Sequence, residues 1–145
     1  MTSAKNNDAA IDELTLALGL LVRRMRSASP SEAQELSWTQ KSVIARLEKE
    51  GPATTAELAR AEGVKPQSMG TAIAMLEEMG MIERKAHATD GRQVNIELTA
   101  RGTAMRKIAK DARRTWLAEA IAKLNKQEQA TLFEAGEIIK RLAEL

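Results

Sequence analysis

The chain has no cysteine among its 145 residues. That absence excludes disulfides, thiol nucleophiles, thiol redox sensing and cysteine-ligated zinc. A single histidine, His87, likewise excludes a histidine metal cluster. Aromatic side chains are confined to Trp38, Trp116 and Phe133. This argues against modules for single-stranded nucleic acid, which stack bases on rings. No apolar run approaches the roughly 20 residues that span a bilayer, so no membrane partner is expected. The first residues, MTSAKNNDAA, lack the apolar core of a signal peptide. A cytoplasmic protein is the expectation. An excess of charge of one sign is missing too: 22 Lys and Arg face 20 Asp and Glu, a net of +2. Any electrostatic footprint must therefore come from local clustering.

What is present is ordinary for a globular domain, with 43% hydrophobic and 29% charged residues. The length suits one domain, residues 1–145, with room for a sizeable core. The most informative stretch runs from Thr54 to Arg92. Two short helical patterns there flank the turn Ala61-Glu62-Gly63-Val64. Leu58 and Ala59 form the apolar contact of the first. Met69, Ala72, Ile73 and Leu76 form that of the second, at the i, i+3, i+4, i+7 spacing of a helix with one buried face. Lys65, Gln67, Ser68 and Thr71 then fall in its first turns, clear of the stripe. A helix-turn-helix needs this arrangement, because the N-terminal turns of its second helix meet base edges in the major groove.

Gly80 stands where a glycine closes a helix in left-handed conformation. Beyond it, Met81 to His87 and Val94 to Leu98 flank the polar turn Thr89-Asp90-Gly91-Arg92. The second run alternates with period two, and Asp-Gly between runs signals a hairpin. A basic hairpin directly after a helix-turn-helix is a wing. Its task would be to bring Arg84, Lys85 or Arg92 to the DNA backbone or a narrow minor groove.

Around this centre, Asp8 to Ser27 reads as a helix capped by Asp8, with residues 1–7 frayed. Ile11, Leu14, Leu18, Leu21, Val22 and Met25 form its stripe. Ser29-Pro30-Ser31 breaks it, and a polar loop leads to Leu36. A helix from Trp38 or Thr39 to Glu50 turns Val43, Ile44 and Leu47 inward and stops at Gly51-Pro52. Thr54 with Glu57 fits a capping box for the next helix. Thr99 caps a long helix to about Leu124. A last helix, Gln127 to Leu145, carries Leu132, Phe133, Ile138, Ile139 and Leu142. The fold class is thus mainly α with a small β-hairpin wing, a winged helix-turn-helix with six helices. Residues 36–99 form the DNA-binding region. Residues 8–28 and 100–145 supply helices that join two copies, since helix-turn-helix dimers read half-sites about one helical turn apart.

Other residues carry less. The bases between Arg101 and Arg114 read as a solvated helix face, except Arg101, which lies nearest the wing and reads as phosphate-facing or field-setting. His87 reads as a solvated wing-tip residue, and Trp38 and Trp116 as core fillers. No nucleophile elbow, zinc-binding histidine pair or phosphate-cradling glycine spacing is present. Neither an enzyme nor a cofactor is expected. The rival reading is a winged-helix module that binds protein and reads no DNA.

The order and spacing of these parts resemble the MarR (multiple-antibiotic-resistance regulator) family of winged helix-turn-helix transcription factors. The resemblance covers nearly the whole chain. It rests on Leu36-Ser37-Trp38-Thr39-Gln40, Thr55 to Leu58, Gln67-Ser68 to Leu76-Glu77, Gly80, and Asp90-Gly91-Arg92 through Leu98-Thr99 and Gly102. It implies a triangular homodimer on a pseudo-palindromic double-stranded DNA operator, usually as a repressor. It implies Gln67, Ser68 and Thr71 in the major groove and Arg92 in the minor groove. It also implies release of DNA when a small phenolic or other amphipathic effector enters a cleft, with Leu21, Met25, Trp38 and Ile108 as lining. Family members often carry arginine straight after the recognition-helix threonine, where this chain has Ala72.

Overall fold

The computed structural model describes residues 2–87 and 89–145. Among them are the helices α1 (Thr2–Ser27), α2 (Ser31–Gln34), α3 (Trp38–Glu50), α4 (Thr55–Glu62), α5 (Pro66–Glu78), α6 (Ala100–Ala122) and α7 (Lys126–Ala143). The strands are β1 (Ala53–Thr54), β2 (Ile82–Ala86) and β3 (Val94–Leu98). The mainly helical winged architecture is the expected one.

Two features of the N-terminal third differ from the expectation. α1 begins at Thr2, so Asp8 is interior and caps nothing. No proline or glycine interrupts the chain before Gly19, and each residue added to an existing helix gains a hydrogen bond. The supposed polar loop holds α2, which makes seven helices among the described residues instead of six. Pro30 opens α2 at φ −54°, and Ala33 is buried beneath it. Arg26 Nη2 donates to the carbonyls of Gln34 (2.8 Å) and Leu36 (3.2 Å). Gln34 Nε2 reaches back to the carbonyls of Ser27 (3.2 Å) and Ser29 (2.6 Å). Those bonds replace solvent on a turn too short to stand alone.

α3 is started by a reciprocal pair. Ser37 Oγ accepts from the Gln40 N–H at 3.1 Å, and Gln40 Oε1 accepts from the Ser37 N–H at 2.8 Å. The pair satisfies two donors that a helix start leaves orphaned. Gln40 is buried, and its Nε2 reaches the Ala72 carbonyl of α5 at 3.4 Å. α4 is capped as expected by Thr54 Oγ1, which accepts from the Glu57 N–H at 3.1 Å. The box there is only half closed, because the Glu57 carboxylate meets the Thr54 hydroxyl at 3.2 Å.

Both helices of the central motif end on a left-handed glycine, Gly63 (φ 66°) after α4 and Gly80 (φ 75°) after α5. At the second, the Met81 N–H reaches the Leu76 carbonyl (3.0 Å) and the Gly80 N–H reaches that of Glu77 (2.9 Å). That pair of bonds makes the Schellman closure.

One hydrophobic cluster joins α3, α4, α5 and the sheet. It comprises Leu36, Val43, Ile44, Leu47, Leu58, Ala59, Met69, Ile73, Leu76, Met81, Ile82 and Ile96. β2 and β3 pair antiparallel from Ile82↔Leu98 to Ala86↔Val94. β1 adds an unforeseen third strand by pairing with β3 at Ala53↔Ile96 and Thr54↔Asn95. α6 then packs so closely on the start of the wing that a Cβ at Gly102 would lie 2.1 Å from the Met81 carbonyl oxygen.

The terminal helices are built differently. Among the described residues, α7 has no buried side chain, and Ile11, Leu14 and Leu18 of α1 are exposed. Trp38 is no core filler: it is 77% exposed on the first turn of α3. Trp116 is half-buried, with the Arg24 guanidinium 5.5 Å above its ring. No helix among the described residues is long and apolar enough to cross a membrane.

Candidate nucleic-acid interface

α5 owes its orientation to three fully buried side chains. Met69, Ile73 and Leu76 sit in the core, which leaves the opposite face of the helix in solvent. Gln67, Ser68 and Thr71 lie on that exposed face. Lys65 is the N-cap residue instead of a first-turn residue, and its side chain is also exposed. Pro66 occupies the first helical position, where its missing N–H removes nothing. No side chain caps this end. Its free N–H groups and the positive end of the helix dipole therefore face outward beside Gln67 and Ser68. Ala72 is half-buried on the inner side, where its carbonyl meets Gln40.

The wing cations divide into two kinds. Arg84 Nε is held by Glu77 Oε2 of α5 at 3.1 Å. Lys85 Nζ lies between Glu83 Oε1 (3.2 Å) and Glu97 Oε2 (3.1 Å). Hydrogen bonds to Glu97 and then Glu83 hold the Lys85 ammonium above its ordinary pKa. Both expected contacts are thus neutralised within the chain. Arg92 differs: its backbone N–H bonds Asp90 Oδ1 at 3.1 Å, and its side chain is exposed with no acidic partner among the described residues. Glu83 lies two residues from Lys85 on the same strand, whereas Glu97 comes near it only through the β2–β3 register and Glu77 reaches Arg84 from the end of α5.

His87 is not simply solvated. Its Nδ1 accepts from the backbone N–H groups of Thr89 (3.2 Å) and Asp90 (3.1 Å). The ring therefore shapes the turn that carries Arg92. The Gln93 N–H closes that turn on the Asp90 carbonyl at 3.0 Å.

The basic run of α6 is not a solvated face throughout either. Arg101 pairs with Glu32 of α2 and donates from Nε to the Met79 carbonyl at 3.0 Å. Arg106 Nε lies 2.9 Å from Glu48. Beside Arg106 is a cavity of about 40 Å³, room for about three waters. Leu36, Ile44, Met105 and Ala109 form its apolar wall, and Lys41, Arg106 and Arg113 its cationic one. Ser29 Oγ lines it and is buried without a hydrogen-bond partner among the described residues. Burial, and then the charges of Arg26 and Arg113, push Lys41 below its ordinary pKa. Leu21, Met25, Trp38 and Ile108, expected as pocket lining, do not line this cavity. Leu21, Trp38 and Ile108 are exposed instead. The sequence could not separate a stripe facing this cavity from one facing outward.

A helix-turn-helix with an exposed second helix and a three-stranded wing defines a winged helix-turn-helix protein, a DNA-binding architecture. The MarR family pattern matches residues 36–94. The chain is 38% identical over 140 residues to the HTH-type transcriptional regulator Mb0904 of Mycobacterium bovis, covering 96% of each chain. It is 32% identical to the HTH-type transcriptional repressor Mb2911 of the same organism, over 85% of this chain and 88% of that one. The crystal structure of Rv1404 from Mycobacterium tuberculosis superposes with a TM-score of 0.81 at 26% identity, covering 94% and 93% of the two chains. The chain belongs to the MarR family: it is a transcriptional regulator, not an enzyme.

Proposed function

We propose that the chain is a homodimeric repressor that reads a pseudo-palindromic duplex operator and is released by a small anionic effector. The observation that carries the reading is the two-faced α5. One face is locked into the core by Met69, Ile73 and Leu76, while Gln67 and Ser68 stand free on the other, with Thr71 exposed beside them and its Oγ1 donating to the Gln67 carbonyl. A rigid helix with a free polar tip is what major-groove readout requires. Arg92 serves the minor groove, with Lys65 at the backbone; Arg84 and Lys85 contribute only by leaving their acidic partners. Residues 36–99 are the reading region, and 8–28 and 100–145 join the copies. Likeness to a repressor supports the direction of regulation.

A gel-shift selection on random duplex pools at two salt concentrations tests this. A DNA reader enriches a palindrome and binds it with a steep salt slope. Failure to enrich any duplex would favour the protein-interaction reading. Gln67→Ala should lower base preference at one or two positions, by about 1–3 kcal/mol per lost contact. Arg92→Ala should weaken all sequences alike and flatten the salt slope.

The cavity under Lys41 supports the effector. It offers an unpartnered hydroxyl, converging cations and an apolar wall, which suit a carboxylate on a compact apolar body. Such an anion would draw Lys41 back toward its ordinary pKa of 10.5, so binding should take up protons above neutral pH. Acetate should release operator DNA where ethanol does not, and Lys41→Met should abolish that difference. Equal release by both compounds would contradict an anionic site.

A further inference from the structure

The exposed face of α5 changes character along its length. Its first turns carry Gln67 and Ser68. The next turns carry Thr71, Ala74 and Met75, all exposed, with Met75 at 49%. These three are neighbours at i, i+3 and i+4, with Cβ atoms about 5–6 Å apart. Thr71 does not interrupt the apolar patch. Its Oγ1 donates to the Gln67 carbonyl at 3.1 Å, a bond back to the preceding turn that uses its only proton and leaves its methyl to add to the patch. Glu78, exposed one turn further on, ends the patch with a charge.

Ala74 and Met75 offer no hydrogen-bond donor, and the one hydroxyl proton of the patch is already committed to the Gln67 carbonyl, so the patch is poorly suited to the polar edges of guanine, cytosine or adenine. The one apolar feature of the major groove is the C5 methyl of thymine. We infer that Thr71, Ala74 and Met75 read thymine methyl groups, so that each half-site combines bases recognised through Gln67 and Ser68 with neighbouring thymines recognised by contact. Thr71 is then an apolar reader instead of the hydrogen-bonding one its type suggests. The inference rests on the DNA-reading proposal above and deepens it.

The test uses the full-length chain and the duplex it enriches from a random pool. Each thymine is replaced singly by deoxyuracil, which removes only the methyl. Wild type should lose about fourfold in affinity at one or two thymines per half-site, the worth of one buried methyl group. Met75→Ala or Thr71→Ser should bind more weakly and no longer distinguish thymine from uracil there. Gln67→Ala should keep the distinction. Met75 and Thr71 lie outside the core, and circular dichroism should show both variants folded. Uracil tolerated at every position by a protein that still enriches a palindrome would overturn this inference alone. The same follows if uracil sensitivity persists in both variants. Failure to enrich any duplex would overturn the DNA-reading proposal and this inference with it.

Discussion

The reading region and the terminal helices spend the same residue types to opposite effect. Between Leu36 and Ile96, leucine, isoleucine, valine and methionine converge from three helices and a sheet into one closed cluster. In α1 and α7, leucine, isoleucine and phenylalanine stay in solvent, with Phe133 60% exposed. The difference lies in crossing elements, not composition. α3, α4 and α5 are short and linked by tight turns, so each stripe meets another within the chain. α1, α6 and α7 are long and extend beyond anything in the same chain able to cover them. Exposed apolar rows of this length mark an association surface, the one that the proposed homodimer would cover with a second copy.

Substitutions should split along the same line. The largest expected effect is in the closed cluster. Leu58→Ala should lower unfolding free energy by about 2–5 kcal/mol, measured by urea denaturation. A loss near zero would show that the reading region is not a packed core. Next is the open surface. Phe133→Asp should leave the helical spectrum of the reading region intact while lowering operator affinity roughly 100-fold, because two half-sites read by unlinked subunits forfeit avidity. Unaltered affinity would sever the link between the terminal helices and binding.

A smaller effect tests the helix starts of both regions together. Ser37→Ala and Asn125→Ala each remove a complete capping box, and each should cost about 1 kcal/mol in thermal unfolding. If only Ser37→Ala registers, α7 unfolds independently of the rest. Smallest of all, Glu77→Gln breaks the ion pair with Arg84 on an exposed surface and should change stability by less than about 1 kcal/mol. Its value lies in binding: an Arg84 freed by the change should strengthen DNA affinity if that cation is held in reserve.

Much of the reading region was legible because its signals are local. The stripe Met69-Ile73-Leu76, the closing Gly80 and the cap Thr99 each follow from spacing within one turn, and each stands where it was expected. The box Ser37-x-x-Gln40 was equally local, yet its residues entered the sequence reading only as a family likeness. What escaped was non-local. β1 is two residues long and exists only because β3 lies beside it. The pairing of Arg84 and Lys85 depends on register and on the end of α5. The cavity under Lys41 is assembled from Ser29, α2, α3 and α6, which no periodicity within one element describes. α2 itself depends on Arg26, eight and ten residues from the carbonyls it holds.

What covers the exposed rows of α1 and α7 decides whether two readers act as one. Sedimentation equilibrium of the full-length chain at micromolar concentration measures it directly. The predicted result is a single species at twice the 15.9 kDa of one chain, shifted toward one chain by Phe133→Asp. A wild-type protein sedimenting as a lone 15.9 kDa subunit would contradict it.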